Sequence, residues 1–297
     1  MKVISPTPVT TALLGNSTVP ENDYAEWDAT KTYGVGDRCI KAATHRIYQS
    51  AAANNKGNDP AVSTSWTDQG PTNRWAMFDQ VVGTSTTATG SFTVTLAPGL
   101  VGALAVLDTN ADSIEVQVSI GGVTIYDEKQ YTSKSGGIIA DWYAYFFARI
   151  GRLRTIVFGD LPLSPSAQIT VTITGPDPQG AVRVGTLLVG NAIDLGSTEA
   201  GGTLSMTDYS TKTKDTFGNI TVVPRAFAKK NQLRTLINND AVDGIFDSLT
   251  DLRATPALWL GEDGYDALAV YGFFNDWQIE LALANISYVS ITVESLI

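Results

Sequence analysis

The chain has 297 residues, 43% of them hydrophobic and only 17% charged, against about 25% charged in ordinary soluble domains, so it reads as globular but poor in charge. Twenty Lys and Arg against thirty Asp and Glu leave a net charge of −10, which argues against a protein that neutralises nucleic-acid phosphates or anionic lipid headgroups. One Cys and one His, Cys39 and His45, exclude an internal disulfide, a Cys/His zinc cluster and a redox thiol pair, and no run approaches the ~20 apolar residues that cross a bilayer.

At roughly 100 to 200 residues per domain, the length suits two or three domains. Residues 1–23 lack periodicity and are punctuated by Pro6, Pro8, Gly15 and Pro20, so the expectation is an extended arm. Met1–Asn16 does not read as a secretory signal. Residues 24–78 change character: Trp27, Trp66 and Trp75 join Tyr24, Tyr33 and Tyr48 between Gly and Asn clusters, which predicts a small module built round aromatics.

From Asp79 the pattern is β. Phe92, Val94 and Leu96 alternate with Ser and Thr; so do Ile114, Val116, Val118 and Ile120 with polar residues, and Ile169, Val171 and Ile173 with Thr. Gly121-Gly122 predicts a hairpin turn into Val123 and Ile125, and Gly175-Pro176-Asp177-Pro178 a second turn. Strands without a helical period between them predict an antiparallel, jelly-roll-like β-sandwich over 79–196. Past Gly196 the pattern is mixed. Val242, Ile245, Phe246, Leu249 and Leu252 predict one amphipathic helix capped by Asn239 or Asp240 and stopped by Pro256. Strands are expected over 257–260, 267–274, 277–283 and 288–293, making 197–297 a C-terminal β domain with one α-helix. The fold class is therefore mainly β.

Few residues point to chemistry. His45 is the one candidate base for a Ser/His/Asp arrangement, no nucleophile elbow accompanies it, and it reads as structural. Asp108, Asn110 and Asp112 alternate like the start of a calcium loop, but Ser113 and Ser119 stand where Gly and Glu belong, so a polar turn is expected. Asp160, Asp177, Glu262 and Asp263 lie in turn-like contexts that single out no acid pair, and no phosphate-binding glycine loop occurs. No catalytic residue, metal ligand or cofactor is assigned. The run Trp142-Tyr143-Ala144-Tyr145-Phe146-Phe147 is apolar on both faces of a strand; it serves either as domain core or, through Trp142, Tyr143, Tyr145 and Phe147, as a subunit contact.

Trp27-Asp28, Tyr33, Gly36-Asp37, Ile47-Tyr48, Pro60, Trp66 and Asp68 resemble the chitin-type carbohydrate-binding modules of family 5/12 over about 45 residues. The chain departs from that pattern at Gln49–Asn55, where those modules carry adjacent exposed tryptophans, which leaves Tyr33 and Trp66 as the candidate sugar-binding rings. Residues 71–79, together with Arg225, 252–261, Tyr271–Phe274, Asp276 and Ser295–Ile297, resemble bacteriophage tail and baseplate structural proteins of the upper-baseplate or distal-tail type. That resemblance implies a non-enzymatic virion component, made in the host cytoplasm and located in the phage tail, that forms a ring with copies of itself and attaches other tail proteins. The alternative it implies is a receptor-recognition protein that binds host cell-surface glycan.

Overall fold

The computed structural model describes residues 1–133, 142, 152–262 and 266–296. The protein is mainly antiparallel β, with a helix over Val242–Asp251. It divides into two compact units, one of Pro8–Leu188 and one of Met1–Thr7 with Val189–Ile297. The division falls between Leu188 and Val189, inside the strand Ala181–Asp194 and ahead of the boundary expected near Gly196.

In the unit Pro8–Leu188 the alternating runs become the five-stranded sheet Val123–Tyr131, Ser113–Ile120, Gln168–Thr174, Ser91–Leu96 and Leu14–Ser17, in that order. Register sets Ile173 between Phe92 and Ile114, Val171 between Val94 and Val116, and Ile169 between Leu96 and Val118. All nine side chains are buried, so three apolar rows cross three strands on one face. The opposite face carries the threonines, with hydroxyls of Thr93 and Thr172, and of Thr95 and Thr170, 3.3 Å apart. A second sheet orders Thr155–Phe158, Ala103–Thr109, the first half of Ala181–Asp194 and Thr86–Thr89. The two form the sandwich expected from the alternation.

Gly121 and Gly122 make the expected turn with φ of 59° and 83°, the left-handed pair that a two-residue hairpin loop demands. The strand that follows, Val123–Tyr131, is the expected partner of the hairpin. Val123 and Ile125 lie on the exposed face of an edge strand.

In the other unit the sheet runs from the second half of Ala181–Asp194 through Lys2–Pro6, Ala257–Leu260, Ala269–Glu280 and Ile286–Ser295 to Phe227–Asn238. Residues 2–6 are thus strand, not arm: Val3 and Ile4 are fully buried between two partners. Five residues are too few to show periodicity, so their burial was not visible in the sequence. The strands expected at 267–274 and 277–283 are one strand, Ala269–Glu280, bent by a bulge at Phe274/Asp276.

Ile245, Leu249 and Leu252 set the helix on a core of Leu233, Ile237, Trp259, Val270, Val289 and Ile291. Phe246, expected on that face, is 51% exposed. The helix begins after a short 3₁₀ turn and its N-cap is Ala241, with no side-chain cap bond. Asn239 is used elsewhere: its amide donates to the carbonyls of Leu283 (3.0 Å) and Ala284 (2.8 Å) and accepts from Ser287 (2.6 Å).

Trp259 centres this core. It is 1% exposed, its indole N–H donates to the Gly272 carbonyl at 3.1 Å, and it meets Phe274 edge-on at 5.9 Å. Gly272 is required there because a β-carbon would overlap the Glu294 carbonyl of the neighbouring strand. Trp259→Phe leaves a buried carbonyl without its donor and opens space, so it should cost about 2–4 kcal/mol. Urea unfolding followed by a probe in this unit checks it; an unchanged midpoint removes Trp259 from the centre.

Candidate functional site

The aromatic module is assembled by hydrogen bonds that the Tyr-x-x-Gly-Asp motif supplies. Gly36 adopts a left-handed φ of 89°, and its amide donates to the Ser50 carbonyl (2.8 Å), while the Ser50 amide returns a bond to the Asp37 carbonyl (2.8 Å). The Asp37 carboxylate accepts from the Gly34 amide at 2.7 Å and closes the turn. Strands Arg38–Lys41, Arg46–Ser50 and Trp66–Pro71 form the sheet that this turn launches. Lys41 and Asp59 pair at 2.5 Å, and this bond holds the Asp59 carboxyl below its ordinary range. Arg46 pairs with Asp68.

Tyr33 and Trp66, the two candidate sugar-binding rings, come together edge-on at 4.9 Å inside this module. They are 2% and 7% exposed and form its core with Cys39 and Tyr48. Their polar atoms are committed as well: the Tyr33 hydroxyl accepts from the Asp28 amide (2.9 Å) and the Trp66 indole donates to the Asn58 carbonyl (3.0 Å). Neither ring has a free face for a pyranose. A unit this small has few aliphatic residues to bury, so its largest aromatics turn inward.

The single histidine occupies a node that sequence reasoning did not foresee. His45 Nε2 lies 2.8 Å from the Thr11 hydroxyl and Nδ1 3.0 Å from a Glu21 carboxylate oxygen. Thr72 donates to the same Glu21 oxygen (2.9 Å), and Trp75 stacks on the imidazole at 4.0 Å. Beside it lies a cleft of about 280 Å³ lined by Val9, Thr11, Arg46 and Phe78 among others. Hydroxyl, imidazole and carboxylate in a row is the order of an activated nucleophile. In this row, however, the hydroxyl and the carboxylate both come from the segment 8–23 and the imidazole from the module. Arg74 adds a 2.6 Å bond to the Val19 carbonyl, and the Asn73 amide donates to Asp23. The node therefore ties segment to module at several points.

The Asp108–Asp112 turn is held by protein cations. Asp108 pairs with Arg183 (3.1 Å) and Arg154 (3.9 Å), and Asn110 bonds the backbone of Ala181 and Arg183. Of the expected subunit contact, Trp142 is 79% exposed, whereas Tyr143, Tyr145 and Phe147 lie outside the described residues. No helix among the described residues is long and apolar enough to cross a membrane.

An extended run of exposed residues lies elsewhere. Strand Thr203–Asp208 pairs with Phe227–Asn238 on one side and has no partner on the other among the described residues. Beyond it, Thr211–Lys214 and Ile220–Val223 form a two-stranded ladder of their own. From Thr203 to Phe227 nearly every residue is exposed on both faces, including Met206 at 68%, Phe217 at 90% and Val222 at 58%. At its tip Asp215 accepts from the amides of Phe217 and Asn219 and the side chain of Asn219, which lowers its pKa and fixes the turn. Alternation of Lys212 and Lys214 with Thr, then a Gly218-Asn219 turn and Ile220-Thr221-Val222, was the signal for this hairpin. A scan against protein-family models and a search of curated proteins found no match to this chain.

Two outcomes follow from this geometry. Burial, aided by Glu26, pushes the Cys39 thiol up to about 11 from 9.0, so it stays neutral in the folded module while the unfolded chain ionises near its ordinary value. That contribution to stability is complete below pH 9.0 and is lost as pH rises toward about 11. A thiol reagent at pH 8 should leave the native protein unlabelled and consume one equivalent after denaturation; fast native labelling contradicts the burial. Glu21→Ala removes an acceptor shared by His45 and Thr72, worth about 1–3 kcal/mol. Hydrogen exchange at the Thr18 amide, bonded to the Thr93 carbonyl, should accelerate about tenfold or more, and unchanged protection shows that the node does not hold the segment.

Proposed function

We propose that this protein is a non-enzymatic structural component of a bacteriophage virion, of the tail baseplate or distal-tail type, which assembles with copies of itself as a ring and attaches other tail proteins. The hairpin Thr203–Phe227 carries the reading. An isolated two-stranded ribbon is marginally stable in water, and the ladder of Thr211–Lys214 with Ile220–Val223 adds exposed Phe217, Ile220, Val222 and Val223 that a solitary protein has no reason to keep wet. An unpaired edge and an apolar ribbon are what a chain built to be covered by a neighbour presents.

The rest of the molecule is compatible with that work. The low charge, 17%, leaves surface that other chains can cover without desolvating many ions. Tyr33 and Trp66 are buried edge-on in the core of the module, so the module serves as a folded spacer in this reading and glycan recognition has no exposed ring among the two candidates. His45 serves as a tie for the segment 8–23.

Gold-labelled antibody against the protein should decorate the tail ends of phage particles in electron micrographs, and mass spectrometry should find it in purified virions. Its absence from particles would refute the assignment. Hydrolysis of an activated ester by the purified protein, abolished by Thr11→Ala, would instead make the His45 row a nucleophile.

A further inference from the structure

The hairpin is basic in a chain that is acidic. Residues 203–230 hold five cations, Lys212, Lys214, Arg225, Lys229 and Lys230, against Asp208 and Asp215, a net +3 that leaves −13 on the other residues. Register places Lys212 opposite Val222 and Lys214 opposite Ile220. Directly opposed residues share a face, so one side of the ribbon presents two ammonium groups flanked by two exposed aliphatic side chains.

The helix in the same unit offers the complement. Asp243, Asp247 and Asp251 recur every fourth residue along one exposed stripe, with Phe246 beside them, exposed and edge-on to Trp277 at 5.2 Å. No Lys or Arg lies between Val242 and Asp251. Like charges at this spacing repel, and Asp251 sits at the negative end of the helix dipole, so the stripe costs the isolated helix stability that a cationic partner restores. Neither the hairpin lysines nor these aspartates form an ion pair within the described residues. The spacings also agree: residues two apart on a strand are separated by about 6.6 Å and residues four apart on a helix rise about 6 Å, so Lys212 and Lys214 can face Asp243 and Asp247 together.

We infer that the Lys212/Lys214/Ile220/Val222 face of one copy docks on the Asp243/Phe246/Asp247 face of the helix in a second copy. This inference rests on the assembly reading above and names the two surfaces it uses. Because donor and acceptor faces differ, the contact is head-to-tail, and repetition closes into a ring where the rotation permits.

The test uses the full chain with three charge variants: Lys212→Glu/Lys214→Glu, Asp243→Lys/Asp247→Lys, and all four combined. Light scattering at micromolar concentration in low salt should show multimers for the wild type, at least tenfold weaker association for each reversal, and recovery in the combined variant. High salt should weaken the wild type. Circular dichroism checks the fold, and Asp243→Asn/Asp247→Asn gives a milder loss should the lysines disturb the helix. Independently, p-benzoylphenylalanine placed at Val222 should crosslink between copies onto the tryptic peptide 235–253. A monomeric wild type, reversals that assemble like wild type, or crosslinks elsewhere overturn the inference. Tail labelling with intact assembly of the reversal variants would sink this interface alone, whereas absence from particles sinks the tail assignment.

Discussion

Three rows of apolar side chains, each crossing three antiparallel strands, are the interaction on which the sandwich depends. Phe92–Ile173–Ile114, Val94–Val171–Val116 and Leu96–Ile169–Val118 are all buried, and the chain has no disulfide with which to replace them. A slip of one residue in any of these strands would turn threonines inward and the aliphatic set outward, so the alternation that makes the strands also fixes their register. The second unit solves the same problem with a helix and a tryptophan, Ile245 and Leu249 packing on a core that contains Trp259.

The same rule explains the small module by its failure there. Too short for aliphatic rows, it relies on Tyr33, Tyr48 and Trp66 around Cys39, with turns closed by Asp28, Asp37 and Asn55 side chains. Large rings spent in this way contribute buried area and an edge-to-face contact of about 0.5–1.5 kcal/mol, and they are no longer available to a ligand. The segment 8–23 depends on the module in turn, through a histidine whose two nitrogens face Thr11 and Glu21.

Where the rule is broken, function is the natural explanation. The ribbon Thr211–Val223 alternates as a strand should, yet neither of its faces is buried, and its basic face stands in a chain of net charge −10. Charge and hydrophobicity thus converge on one exposed element, which supports the assembly reading more directly than the aromatic run at 142–147.

Strands whose alternation is long enough to read, the Gly121-Gly122 turn, the helix near 242–252 and the aromatic character of residues 24–78 were legible in the amino-acid order, because each follows from local stereochemistry and periodicity within a few residues. Tertiary structure decided the rest. Only packing could show that Val3 and Ile4 sit between two strands, that Phe246 faces out, that Tyr33 and Trp66 face in, and that Thr11, Glu21 and His45 meet across 34 residues of chain. Burial and long-range contact depend on which surfaces find each other, and a side-chain pattern encodes only the face it lies on, not what covers that face.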